Sequence, residues 1–461
     1  MILSSFFFIF WSFYYGVFNP VDLMCPDSQG YIDFDYTRTV GYPIFLWIIQ
    51  KCFGSLQFVP YIQLFLNTWG VGLLASRIKK LTTWSWAGAF VVIGCLGNPE
   101  WMTCHARIMS ESLTHTLLCF LIADMVLAAS SVSSKLMFRI GLWVGLALLI
   151  RPTSALWVFG IAVMVCVMRH VRFKKLVQCM LPILCLYVFG NGVFYLHHGH
   201  FKSHAMTGHN MIGKLGILAT PTTPSTDPNF MNALSKAAQT DVIQGSLKQC
   251  QTMGGYGLLS SAFYDDIRFD KIQKAISQLP TDLQNQLKDP FFYDNYMTKR
   301  SKDILSHHVP EYLMDSFKTY VELWLLPHLK SSDHLKDVAQ VLDVYPQLKN
   351  NWAVKGWMTE HFRKSLPDSV IKGLRLCIIL FYIASICLLF HMICQIIKRR
   401  HLSPAALSFL GTYTILQCTY IAIAMTQAPL LRYAIVMWPC LFVCTVLGLK
   451  YINENIKNVK G

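Results

Sequence analysis

Residues 23–43 read LMCPDSQGYIDFDYTRTVGYP and follow an apolar N-terminal run. They carry three carboxylates and a guanidinium: Asp27, Asp33, Asp35 and Arg38. Similar groups recur where later apolar runs end: His105, Arg107 and Glu111, then Arg151 before Pro152, His209-Asn210 with Lys214, and Arg432 before Tyr433. A carboxylate can accept a proton or hold a hydroxyl. A guanidinium presents a planar fork that suits phosphate. Together these are the parts of an acid–base or phosphate-handling site. Asp33-Phe34-Asp35 also has the Asp-x-Asp spelling that can serve a divalent ion. HHGHFKSH at 197–204 gathers four histidines, but no carboxylate or cysteine stands at ligand spacing, which favours a solvated loop.

The elements that position these residues are apolar. The chain has 461 residues, of which only 14% are charged, where a soluble protein carries about 25%. Several apolar runs exceed the roughly 18 residues that mark a membrane-crossing helix, and none alternates as barrel strands do. The expectation is an all-α polytopic membrane protein. The net charge of +15 sits in short clusters between the runs, RIKK at 77–80, RHVRFKK at 169–175 and KRRH at 398–401. That pattern reports orientation in a membrane and excludes a nucleic-acid reading. Most of the 15 cysteines lie within apolar runs, where they act as small hydrophobes, and Cys25, Cys52, Cys104 and Cys250 form no framework. The first run lacks a basic flank and a small-residue cleavage site, so it reads as a retained span.

Ten spans are expected, near 2–18, 59–77, 84–97, 113–130, 136–150, 153–168, 176–196, 370–396, 403–425 and 432–450. With the basic clusters in the cytoplasm, both termini are cytoplasmic and residues 19–58, 98–112, 197–369 and 426–431 face the periplasm or a lumen. Residues 39–58 look like an amphipathic helix lying in the interface. Residues 197–369 form a helical insert, which divides the chain into 1–196, 197–369 and 370–461. Unpaired charge at bilayer depth costs about 2.5–3.5 kcal/mol on insertion scales, so the ionisable groups at the outer ends of several spans point to one shared polar cavity. Asp33 and Asp35 are expected to cap the helix that follows them.

Several of these segments, taken in order, resemble a known superfamily. PDSQGYIDFDYTRTVGYPIFLWII (26–49) resembles the first outer loop of the GT-C glycosyltransferases, multispan enzymes that use lipid-phosphate sugars. RIMSESLTHTLL (107–118) looks like their Ser-Glu segment opening a span, and LLIRPTSAL (148–156) is similar to their Arg-Pro at an outer helix end. TGHNMIGKLG (207–216) resembles the Gly-x-Asn-Leu stretch after the seventh span, and SHHVPEYLMDSFKTYVELWLLP (306–327) the helix written around His-Pro-x-x-Tyr-Leu. QAPLLRYAIVMWP (427–439) resembles their late Arg-Tyr motif. The nearest in style are the protein O-mannosyltransferases and the lipid A aminoarabinose transferases. Two positions depart from the pattern: Ser28 stands where the mannosyltransferases carry a second acid, and His-Pro becomes His308-Val309-Pro310.

The resemblance implies transfer of a sugar from a polyprenyl-phosphate donor to a lipid, glycan or protein acceptor at the outer face. It implies Asp27 as the general base of an inverting displacement. Arg151 and Arg432 are the implied phosphate ligands, with Arg107 or Lys214 as substitutes. Glu111, Tyr42, Tyr433, His209 and Asn210 are the implied substrate-binding residues. No cofactor is implied, although some members use a divalent ion at acidic residues. Two rival readings share the spans and the cavity: a transporter or flippase of lipid-linked sugars, and an O-antigen ligase or polymerase. The outer segments contain no Asn-x-Ser/Thr acceptor, which leans towards a bacterial inner membrane over the endoplasmic reticulum.

Overall fold

The computed structural model describes residues 2–18, 23–25, 27–168, 173–324, 332–350, 354, 368–398, 401–426, 434 and 436–460. Helices dominate, and no strand occurs among the described residues. The chain divides into two compact units, residues 1–204, 381–419 and 435–461 in the first and 205–380 with 420–434 in the second.

In the first unit the helices are α1 (Ile2–Phe13), α2 (Ser28–Ile32), α3 (Gly41–Phe53), α4 (Val59–Thr82), α5 (Ser85–Leu96), α6 (Pro99–His105), α7 (Ser110–Ser130), α8 (Ser134–Ile150), α9 (Trp157–Val167) and α10 (Phe173–His198). Two further helices, Pro404–Thr426 and Trp438–Lys460, lie largely within it. Almost every residue of α7 is buried. Its apolar residues surround the whole circumference, as a helix enclosed on all sides requires. α4 packs along it and α8 lies against both α7 and α10.

Among the described residues, five helices are long and apolar enough to cross a membrane: Leu56–Thr82, Ser110–Ser130, Lys174–His198, Arg375–Ile397 and Pro404–Thr426. Among the other expected spans, α1 and α5 have 12 residues each and α9 has 11. At 1.5 Å per residue such a helix covers about 18 Å of a hydrocarbon core about 30 Å thick. A π-helical turn at Tyr14–Phe18 ends α1, and a 3₁₀ segment at Pro152–Leu156 precedes α9.

The second unit contains α11 (Thr207–Leu215), α12 (Pro228–Ala238), α13 (Thr240–Gln249), α14 (Met253–Asp266), α15 (Ile272–Ile276), α16 (Thr281–Gln286), α17 (Pro290–His307), α18 (Val309–Trp324) and α19 (Ser332–Val344). Their starts follow local rules. Asp227 and Asp289 each cap a helix opened by proline, accepting hydrogen bonds from Phe230 N and from Phe291 N and Phe292 N. Ile212, Leu234, Phe230, Phe263, Ile267 and Met297 form the centre of its core.

The loop between α2 and α3 is fixed to the first unit by close approach. A Cβ on Gly41 would lie 2.8 Å from the backbone C and O of Leu149 in α8. Thr39 Oγ1 donates to Ile150 O at 2.6 Å beside it. Gly41→Val should therefore force α3 off α8 and lower stability by about 1–3 kcal/mol, read as a drop in the thermal midpoint in detergent. Gly54→Ala, at a helix end whose φ of 71° already strains a side chain, should cost about 1 kcal/mol.

Candidate functional site

A continuous polar chain runs from the first loop to the end of α8. Asp27 Oδ1 accepts from Arg38 Nη2 at 2.7 Å. The Arg38 guanidinium lies 4.5 Å above the Tyr31 ring. Tyr31 OH pairs with Ser110 Oγ at 2.8 Å, and Ser110 Oγ reaches Glu111 Oε2 at 3.4 Å. Glu111 Oε1 accepts from Arg151 Nη2 at 3.0 Å. The two ends of the chain are open to solvent, with Asp27 28% and Arg151 20% exposed, while Glu111 in the middle is 3% exposed.

Three features of the local sequence build this chain. α2 is little more than one turn, and the tight turn after it brings Arg38 back across Gly30 to Asp27. α7 begins at Ser110, so its first turn presents Ser110 and Glu111 together. α8 ends at Arg151 because Pro152 cannot continue it. Beneath lie Tyr31, Tyr42, Leu46, Ile49, Ile108 and Ile150 as a common apolar floor.

A second layer holds the loop and α6 in register. Tyr42 OH donates to Gln63 Oε1 at 2.6 Å, and Gln63 Nε2 donates to the carbonyls of His105 and Arg107 at 3.1 and 2.9 Å. His105 Nδ1 pairs with Ser112 Oγ at 2.6 Å, and His115 Nδ1 with Asn67 Oδ1 at 2.7 Å. Ser28 is fully buried and its Oγ donates to Ile108 O at 2.9 Å. Ser28 is thus a staple between the first loop and the segment leading into α7, facing a carbonyl that would repel a carboxylate. A pocket of about 160 Å³ opens beside His105, lined by Trp11, Tyr15, Leu23, Tyr61 and Met102.

Burial shapes the electrostatics. It pushes the Tyr31 phenol upward, helped by the charge of Glu111, and pushes Tyr42 further. Burial works against the Arg38 cation, but Tyr31 and Asp27 outweigh it and hold the guanidinium above its usual value. His105 is driven down to about 3 by burial and stays a neutral ring.

Of the residues expected from sequence, the structure joins Asp27, Glu111 and Arg151 in one chain and sets Tyr42 and the Arg107 backbone in the layer below it. Lys214, His209 and Asn210 belong to networks of the second unit. Lys214 Nζ pairs with Asp315 Oδ2 at 2.6 Å and donates to Thr319 Oγ1 at 3.1 Å. His209 Nδ1 meets Tyr293 OH at 2.8 Å, and Tyr264 OH donates to Asn210 Oδ1 at 3.3 Å. Arg432 and Tyr433 lie outside the described residues. Nothing in the sequence signalled Tyr31, Ser110 and Gln63, and Arg38, visible there as a charge of the first loop, had no role assigned to it.

Two smaller expectations are corrected. Asp33 and Asp35 do not cap α3: Asp33 Oδ2 accepts from Gln29 Nε2, and Asp35 Oδ1 from Thr37 N inside the turn. Phe34 between them adopts φ 49° and stacks on His197, and His197 and His198 belong to the last turn of α10 instead of a loop. Among the described residues, no cluster of three or more His, Cys, Asp or Glu side chains is placed to hold a metal.

Compared with known proteins, the chain matches no protein-family model, no curated protein and no solved structure.

The His105 environment gives a pH dependence with a definite sign. The unfolded chain takes up a proton on this ring below its ordinary value near 6.5, whereas the folded chain does so only near 3. Stability present above 6.5 is therefore lost as pH falls towards 3. Lowering the pH from 7.5 to 5 should cost about 2 kcal/mol through this residue. Unfolding midpoints across that range should fall in the native chain and flatten in His105→Gln.

Proposed function

We propose that this chain is a membrane glycosyltransferase that moves a sugar from a polyprenyl-phosphate donor to an acceptor at the outer face of the membrane. The observation that carries the reading is the chain of hydrogen bonds, ion pairs and one cation–π contact linking a solvent-open carboxylate, Asp27, to a solvent-open guanidinium, Arg151, through Glu111. An inverting glycosyl transfer needs a base beside the incoming nucleophile and a cation beside the departing phosphate.

In the proposed reaction the acceptor X–H attacks the anomeric carbon while Asp27 takes its proton. The new bond to carbon forms as the bond from carbon to the phosphate oxygen breaks, and the electron pair leaves with the polyprenyl phosphate. Arg151 receives the growing negative charge with two parallel N–H donors. Arg38 holds one Asp27 oxygen, which leaves the carboxylate oriented as well as ionised. Glu111 anchors Arg151 and offers an oxygen to sugar hydroxyls. Positioning does most of the work, because an ordinary carboxylate is a weak base at neutral pH.

Arg107, whose backbone lies in the layer below the chain, completes the proposed substrate site. In the same reading the chain crosses the membrane ten times, α3 lies in the interface and the site faces the periplasm of a bacterial inner membrane. The resemblance of the ordered motifs supports this picture. So does the helical fold with five helices of membrane-crossing length.

Asp27→Asn should lower the turnover of a radiolabelled polyprenyl-phosphate sugar by about 10² or more in folded, reconstituted protein. Near-native transfer would remove Asp27 as the base. Arg151→Lys keeps the charge beside Glu111 but loses the fork. It should reduce kcat/KM for the donor about tenfold, with a native thermal midpoint.

A further inference from the structure

Helix α18 shows its apolar side to the outside. Tyr312, Ser316, Thr319 and Leu323 recur at three and four positions and are buried against the second unit. Leu313, Met314 and Phe317 are 54, 57 and 61% exposed, and helical spacing places them, with exposed Pro310 and half-buried Val321, on the opposite side. A helix on a water-facing surface would be polar there. The polar groups of α18 are instead gathered on one flank, where Asp315 pairs with Lys214 and accepts from Tyr256 OH. On the same flank Lys318 lies 4.2 Å from the Tyr256 ring.

The place of α18 in the unit says what covers that stripe. Tyr312 OH donates to the carbonyl of Met425 at 2.5 Å, in the last turn of the membrane-length helix Pro404–Thr426. Trp324 meets Tyr420 of the same helix edge-to-face at 5.5 Å. These contacts are twelve residues apart on α18, about 18 Å, and five apart on the span, about 7.5 Å. Both ends of α18 thus reach the last two turns of that span. Ile421 and Met425 on that span end are themselves 48 and 41% exposed, so the end of the membrane-length helix that α18 meets also shows apolar side chains outward.

We propose that α18 is an in-plane membrane helix whose outer stripe, Leu313, Met314 and Phe317 at its centre, lies at the boundary between headgroups and acyl chains. It seats the second unit on the bilayer. The geometry matches that of interfacial helices, which bury an apolar face roughly 5–10 Å deep. This inference is independent of the chemistry proposed for the first unit.

The full chain carrying a fluorescent side chain at one position, Leu313→dansylalanine or Phe317→dansylalanine, is reconstituted into vesicles with brominated acyl chains. Glu311→dansylalanine on the polar flank and Lys302→dansylalanine in α17 serve as controls, all four sites being solvent-exposed in the protein itself. Brominated chains should quench positions 313 and 317 about threefold more than the controls, and aqueous iodide should show the reverse order. Equal quenching by iodide at all four positions would overturn the proposal, placing the stripe in water. So would protection of 313 and 317 from both quenchers, which would mean that a second copy or another protein covers them.

Discussion

An ionisable side chain inside an apolar body has to find a partner, and that requirement organises the first unit. Glu111 opens a helix buried along almost its whole length, and a lone carboxylate there would cost several kcal/mol. Arg151 meets it from the end of a different helix. Since α8 must stop at Arg151, the ion pair ties the start of α7 to the end of α8 and defines the polar end of the bundle. The same demand recurs at the opposite end of α7, where buried Asp124 is held by Arg139 and by Trp143 Nε1.

The first loop is then fastened to this frame from three directions. Ser28 and Leu23 bind the backbone of Ile108, Thr39 binds Ile150, and Tyr42 reaches Gln63 on α4. No exposed ion pair need supply much stability, since such pairs contribute about 0–1 kcal/mol. The Asp27–Arg38 contact is better understood as orientation. A carboxylate on a loop is mobile unless something holds it, and here a guanidinium stacked on a buried phenol does so.

The second unit follows the logic of a soluble helical domain, with capped helix starts and one apolar core. Its departure is α18, which is buried on one side and apolar on the other. Both faces need an apolar environment, and among the described residues only one of them finds it.

Residue order alone made much of this legible. Long apolar runs announced an all-helical membrane chain because burying backbone in lipid demands internally satisfied hydrogen bonds. Pro152 marked where α8 stops, and the placement of Asp27, Glu111 and Arg151 at run ends followed from the cost of charge in hydrocarbon. Tertiary structure alone decided which of those ends meet. Tyr31 and Ser110 are 79 positions apart and Glu111 and Arg151 are 40 apart, and no local periodicity encodes such pairings. Arg38 was visible as a charge, but its return to Asp27 depends on the turn around Phe34, whose left-handed backbone is a cost that its packing on Phe194, His197 and His198 offsets. Local rules set where each helix begins and stops. Hydrogen-bond satisfaction across the bundle set which polar groups share a site.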